Sequence, residues 1–161
     1  MTEWAVAIAE RRDSRHSKTG RFQRFLGDNT TEIGILGEQC FAEQFNVCAD
    51  LSFKPRGDGG KDFSLPLLVK GEIEDIAVDV KTSAIGRSLL VEQGLVKKRC
   101  IYVLVHCDKE TKKCGIVGWS WGAALLAKEP RKWPREIINH VIPREELRDI
   151  TEIKTRLIKQ C

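Results

Sequence analysis

The chain has 161 residues, 42% apolar and 31% charged, with a formal net charge of +4. That length and balance suit one soluble domain with its own core and exclude a chain disordered throughout. No apolar stretch approaches the roughly 20 residues that span a bilayer, so no membrane partner is expected. The opening Met1-Thr2-Glu3-Trp4 lacks the basic-then-apolar layout of a secretory signal, which makes the cytoplasm the expected compartment.

Residues 3–12 have helix-forming composition. Residues 11–24 then hold Arg11, Arg12, Arg15, Lys18, Arg21 and Arg24 against a lone Asp13, spaced by Ser, Thr and Gly. This stretch reads as a basic arm that neutralises phosphates, or else as solvated surface charge. From Thr31, Ile33, Leu36, Cys40, Phe41 and Phe45 recur at helical spacing behind the capping candidates Asp28, Asn29, Thr30 and Thr31, predicting an amphipathic helix to about Asn46. A short strand is expected over 47–53. Lys54-Pro55-Arg56-Gly57-Asp58-Gly59-Gly60 must turn, because three glycines and a proline break both regular periods.

Residues 63–69 and 73–82 read as an antiparallel hairpin, with Pro66 placing the first strand at an edge. Residues 88–98 are ambiguous between strand and helix. Residues 101–105 form the clearest buried strand, and a charged turn at 108–113 leads to a second hairpin strand at 115–119. A short helix follows to Ala127, and Pro143 suits a first helical turn in the tail. This order predicts a single α/β domain, a central mixed sheet flanked by helices, over 31–161, preceded by a basic helix and arm over 1–30.

Six cysteines (Cys40, Cys48, Cys100, Cys107, Cys114, Cys161) with no CxxC pair read as reduced thiols. His106, Cys107 and Cys114 lack the fourth ligand of a zinc site, and buried small hydrophobes at a hairpin are the competing reading.

The chemistry concentrates in Ile76-Ala77-Val78-Asp79-Val80-Lys81, seventeen positions after Asp62 when counted to Asp79. Strand side chains alternate, so Asp79 and Lys81 share one face while Ile76, Val78 and Val80 share the other. If the glycine turn brings Asp62 beside them, two acids hold a hard cation while the lysine positions a water, which outlines phosphodiester hydrolysis. Each residue also has an ordinary reading: a surface ion pair for Asp79 and Lys81, a turn cap for Asp62, a solvated helix position for Glu38. Glu110-Thr111-Lys112 and Glu152-Ile153-Lys154 repeat the acid-x-lysine pattern without an upstream acid on a glycine turn.

In this context the chain resembles the PD-(D/E)xK nuclease superfamily, the restriction-endonuclease-like fold shared by restriction endonucleases, Holliday-junction resolvases and recombination exonucleases. Gly34-Ile35-Leu36-Gly37-Glu38 with Phe41-Ala42 is similar to that family's first helix, Gly57 to Asp62 to the glycine-rich entry of its Mrr-like branch, and Asp79-Val80-Lys81 to its acid-x-lysine half-motif. Ile116-Val117-Gly118-Trp119 resembles the strand-to-helix passage of phage and bacterial members. The likeness covers about residues 31–150. It departs where Lys61 replaces the usual proline and where the second acid is Asp.

The resemblance implies a Mg²⁺- or Mn²⁺-dependent nuclease, with DNA the expected polymer, RNA left open, and a homodimer neither required nor ruled against. Asp62, Asp79 and the Val80 carbonyl would hold the metal, Lys81 would clamp the attacking water and the developing charge, and Glu38 would take a second metal or a water. Lys128, Arg131, Lys132 and Arg135 around Trp133 form a second basic cluster expected to grip nucleic acid, Trp133 by stacking or as a hydrophobic anchor. The competing function is a nucleic-acid-binding or assembly protein that keeps the fold without catalysis.

Overall fold

The computed structural model describes residues 30–47 and 61–158. Lys70 and Gly71 both take positive φ, 49° and 84°. That pairing matches the twist of a two-residue hairpin turn, and it folds strand β1 (Phe63–Val69) back on β2 (Glu72–Ser83). The register runs from Phe63 opposite Val78 to Val69 opposite Glu72. β4 (Ile101–Cys107) pairs parallel to β2, and β5 (Cys114–Trp121) pairs antiparallel to β4, so the sheet order is β1-β2-β4-β5. A parallel neighbour requires a crossover. Here the crossover passes through β3 (Ser88–Glu92), which leaves the sheet to pair antiparallel with β7 (Ile138–Pro143). The two-residue β6 (Arg131–Lys132) completes a second, three-stranded sheet of order β3-β7-β6.

Alternate residues of β4 feed two cores, which is why its sequence is apolar without a break. Ile101, Val103 and Val105 join Ile76, Val78 and Val80 under helix α1 (Thr30–Phe45), where Phe41 stacks on Phe45 at 4.4 Å and meets Phe63 at 4.9 Å. Tyr102 and Leu104 point the other way, against Leu89, Val91 and Ile142 of the second sheet and Leu125 of helix α2 (Gly122–Ala127). Each fully buried side chain of this size contributes roughly 1.5–3 kcal/mol, so both interfaces are structural.

A 3₁₀ turn (Arg144–Glu146) and helix α3 (Thr151–Arg156) finish the fold and close the main sheet at both edges. Arg148 exchanges two backbone hydrogen bonds with Trp119 of β5, at 2.9 and 3.0 Å. Ile153 then packs in the α1-side core, and the Ile158 N–H donates to the Pro66 carbonyl of β1 at 3.0 Å. Pro66 thus sits on an edge strand, as its missing N–H requires.

The α/β class, a mixed sheet, the leading helix and both hairpins follow the sequence expectation, and the sheet has four strands. Three features differ. The face of the sheet away from α1 is covered mainly by a second sheet. Residues 138–143 form β7, so Pro143 ends a strand before the 3₁₀ turn, while the open choice at 88–92 falls to strand. Cys107 and Cys114 are disulfide-bonded, where reduced thiols were expected. They are register partners on the β4–β5 ladder, brought opposite one another by a turn in which Asp108 Oδ1 accepts from the Glu110 and Thr111 N–H groups. Cys40 and Cys100 are free thiols.

The arm with Arg11, Arg12, Arg15, Lys18, Arg21 and Arg24, the strand expected at 47–53 beyond Val47, and the glycine turn at 54–60 lie outside the described residues. Among the described residues no helix is long and apolar enough to cross a membrane.

Candidate active site

Asp62 lies one residue before β1, whose first pair is Phe63 opposite Val78. The Asp62 N–H donates to the Val78 carbonyl at 2.9 Å, and its carboxylate Oδ2 accepts from the Val80 N–H at 2.7 Å. The side chain therefore stands in for the next backbone carbonyl of the ladder, where β1 begins. In a strand, the N–H and C=O of one residue leave the same edge, so the Val80 carbonyl is aimed at this same gap.

Asp79 and Lys81 lie two residues apart on β2. Lys81 Nζ is 2.9 Å from Asp79 Oδ1, with the Asp79 side chain buried and the Lys81 side chain 38% exposed. Tyr102, opposite Asp79 on β4, donates from its hydroxyl toward the Leu95 carbonyl at 3.4 Å and accepts from the Lys97 N–H at 2.8 Å. Cys100 begins the run into β4 and feels the charges of both Asp79 and Lys81.

Glu38 enters from α1, which lies directly on β2 because Gly37 has no side chain. A Cβ at Gly37 would sit 1.9 Å from Thr82 Oγ1. The half-buried Glu38 carboxylate acts on Asp62 strongly enough to be the second cause of its shift.

The electrostatics follow from these positions. Desolvation first, then the charges of Glu38 and Asp79, push the Asp62 carboxyl well above the usual carboxylate range; the Val80 N–H and the Lys81 ammonium offset this only in part. Burial pulls the Lys81 ammonium down, but the Asp79 charge and hydrogen bond, with Asp62 behind them, more than compensate and leave it raised. The same burial and the Asp79 carboxylate push the Cys100 thiol up to about 11 and the Tyr102 phenol up to about 12. Neither is poised as a nucleophile or base near neutral pH.

Two further carboxylates, Glu38 and Asp79, act on the buried Asp62 with a charge that Lys81 offsets only in part. Oxygen donors with that deficit match a hard divalent cation by atom type and by charge. Among the described residues, no three His, Cys, Asp or Glu groups are drawn into a ligating cage, and Asp79 is engaged by Lys81. The donor set fits Mg²⁺ or Mn²⁺ chemically, while binding requires Asp79 to share its carboxylate between Lys81 and the ion. The zinc alternative fails here, since Cys107 is bonded to Cys114 and His106 Nε2 lies 3.0 Å from the Ala84 carbonyl.

The second basic cluster belongs to the smaller sheet. Lys128 pairs with Glu146, and Lys132 lies 3.4 Å from Glu136, so two of its cations are held by neighbouring acids. The Arg131 guanidinium sits 5.2 Å from the Trp133 ring centroid, and Arg135 is exposed. Two features escaped sequence reasoning. One is the close approach at Gly37, signalled only by a glycine inside a helical pattern. The other is the exposed basic turn Lys97-Lys98-Arg99, three consecutive cations one residue ahead of β4.

No protein-family model, curated protein or solved structure matches the chain.

Proposed function

We propose that the chain is a divalent-metal-dependent nuclease of the PD-(D/E)xK type, hydrolysing phosphodiester bonds with DNA as its expected substrate. The observation that carries this reading is the Asp62 carboxylate bonded to the Val80 N–H, between Asp79 and Lys81 on β2, with the Glu38 charge bearing on it. Asp62, Asp79 and the Val80 carbonyl would hold Mg²⁺ or Mn²⁺, with Glu38 beside them. When bound, the ion supplies Lewis-acid polarisation of the phosphate and acidification of a water. Asp62, pinned by Val80 and flanked by two further carboxylates, supplies negative charge that cation binding relieves. Asp79 orients Lys81 through their ion pair. The protonated Lys81 then positions the attacking water by donating hydrogen bonds and offsets charge developing on the phosphorane oxygens. Glu38 would hold a water or the cation from the helix side.

The experiment is hydrolysis of plasmid, branched and single-stranded DNA and of RNA in Mg²⁺ and Mn²⁺, comparing wild type with Asp79→Ala and Lys81→Ala. Cleavage should fall by about 10²-fold or more in each variant. Equal cleavage by all three proteins would remove the assignment. The engagement of Asp79 by Lys81 and the lack of a drawn-in ligand cage among the described residues favour a second reading, a binding protein that retains the fold without turnover. Nucleic-acid binding with no hydrolysis in either metal would select it.

A further inference from the structure

A register shift between Leu104 and Val105 sets the last three β4–β5 pairs apart from the rest of that ladder: Val105 with Ile116, His106 with Gly115, and Cys107 with Cys114. β2 stops pairing with β4 at His106, so the Cys107–Cys114 pair lies past the end of β2. The turn between the two cysteines is bonded to itself. The Asp108 N–H donates to the Lys113 carbonyl and the Lys112 N–H to the Asp108 carbonyl, both at 2.9 Å, while Asp108 Oδ1 accepts from the Glu110 and Thr111 N–H groups at 2.9 and 2.7 Å. A turn held in this way moves as one piece, and the disulfide joins its two ends.

That piece reaches back to the helix. Lys112 takes a positive φ of 59°, and its ammonium lies 3.2 Å from Oε1 of Glu32 in the first turn of α1. Glu32 is 9% exposed, and this oxygen has no hydrogen-bond partner among the described residues. The distance is that of an ion pair while hydrogen-bond geometry is missing, so charge is what holds the two groups together. Drawing Lys112 away would leave a buried carboxylate without its cation, which is strongly destabilising. Cys114 packs on the core beneath α1, and further along the same helix stands Glu38, whose charge bears on Asp62.

We propose that the Cys107–Cys114 bond is a redox latch on α1, opened by a dithiol reductant and closed by a two-electron thiol oxidant. Closed, it fixes both ends of the turn and so keeps Lys112 at Glu32. To open it, one thiolate of the dithiol attacks the Cys114 sulfur, which is half-buried where Cys107 is fully buried; the Cys107 sulfur leaves and takes up a proton. The second thiol of the donor then displaces Cys114, which leaves two cysteine thiols and the donor oxidised to its cyclic disulfide. The turn is now free to swing on its three-pair stem, Glu32 loses its cation, and the first turns of α1 loosen. A 161-residue chain with two cores needs no cross-link to fold, and a bond between cysteines seven positions apart restrains the unfolded chain less than a long loop would, so both facts suit a regulatory bond. The latch on α1 stands without the nuclease reading, and its bearing on hydrolysis, through the helix that carries Glu38, rests on that reading.

The test is hydrogen exchange of the full chain, oxidised with diamide or reduced with dithiothreitol, read by mass spectrometry over residues 34–38 of α1 and 101–105 of β4. Reduction should speed exchange at 34–38 about 10-fold and leave 101–105 protected. Lys112→Met should give the same acceleration in the oxidised protein, with little added by reduction, whereas Lys112→Arg should keep the wild-type pattern. Cys107→Ser with Cys114→Ser should match the reduced protein under either condition. Unchanged exchange at 34–38 on reduction, an equal acceleration at 101–105, or a response to reduction as large in Lys112→Met as in wild type would each overturn the latch, as would failure of diamide to consume the two thiols. Hydrolysis absent in both redox states, with exchange responding as expected, would remove the nuclease reading and leave the latch standing. Hydrolysis in Mg²⁺ alongside exchange that ignores reduction would do the reverse.

Discussion

The Cβ that Gly37 lacks would lie 1.9 Å from Thr82 Oγ1, 2.9 Å from Thr82 Cβ and 3.0 Å from its Cγ2. Helix α1 therefore rests on β2 backbone-close, one residue beyond Lys81, and this contact sets how far Glu38 reaches toward Asp62. Gly37→Ala must lift the helix or push Thr82 aside. Overpacking of this kind costs about 1–3 kcal/mol. Adding Thr82→Ala removes two of the three clashing atoms, and with them a buried hydroxyl that has no hydrogen-bond partner among the described residues. The double variant should recover part of the loss, read as a favourable coupling in denaturant unfolding. Strictly additive losses would separate the two positions.

Burial and the charges of Glu38 and Asp79 make an ionised Asp62 costly to the fold. Its folded value is raised above the ordinary 3.8, so the folded state holds the proton more tightly than the unfolded chain does. Its contribution to stability is present below the ordinary value and is lost as pH rises through the folded value. Asp62→Asn keeps an oxygen for the Val80 N–H while removing the charge. In EDTA near pH 8 this variant should melt about 2–4 °C higher than wild type, the equivalent of about 1 kcal/mol for a chain of this size. The gap should close toward pH 4. Added Mg²⁺ or Mn²⁺ should raise the wild-type melting temperature and leave the variant unmoved. A variant that melts lower than wild type in EDTA, or responds equally to metal, would show that the carboxylates do not strain one another.

Much of this cluster was legible because local rules governed it. Period-two alternation put Asp79 and Lys81 on one face, the Lys70-Gly71 turn closed the hairpin, and the unbroken apolar run of β4 marked a strand buried on both sides. The second sheet was not legible. Leu89 and Ile142 pair across 53 positions, and strands of five and six residues carry no periodic signal long enough to distinguish them from a helix edge. The Asp62–Val80 bond lay hidden for a related reason. It depends on register, which places the carboxylate where a backbone carbonyl would otherwise accept. The turn at 97–99, whose Lys98 carbonyl accepts from the Ala123 N–H of α2, lies at the end of a segment that reads from sequence as ambiguous between strand and helix. The disulfide, too, required the hairpin register before two cysteines seven positions apart became partners.

Lys81 decides between two chemistries for the site. Held by Asp79 at 2.9 Å and raised above its ordinary 10.5, it keeps its proton throughout the neutral range, and its stabilising contribution is lost only as pH rises through the folded value. A protonated lysine donates hydrogen bonds and charge but accepts no proton, so the role the proposed nuclease gives it is electrostatic. Lys81→Arg preserves a permanent positive charge beside Asp79, whereas Lys81→Met leaves a buried carboxylate without its ammonium. Hydrolysis in Mg²⁺ should fall about 10²- to 10³-fold in the Met variant and distinctly less in the Arg variant, with the shape of the pH–rate profile unchanged between Arg and wild type. If lysine served as the general base, guanidinium could not replace it at any pH, and the Arg variant would be as inactive as Met. Profiles for the three proteins from about pH 6 to about pH 9 distinguish these outcomes, and thermal melts on the same samples separate lost chemistry from lost fold.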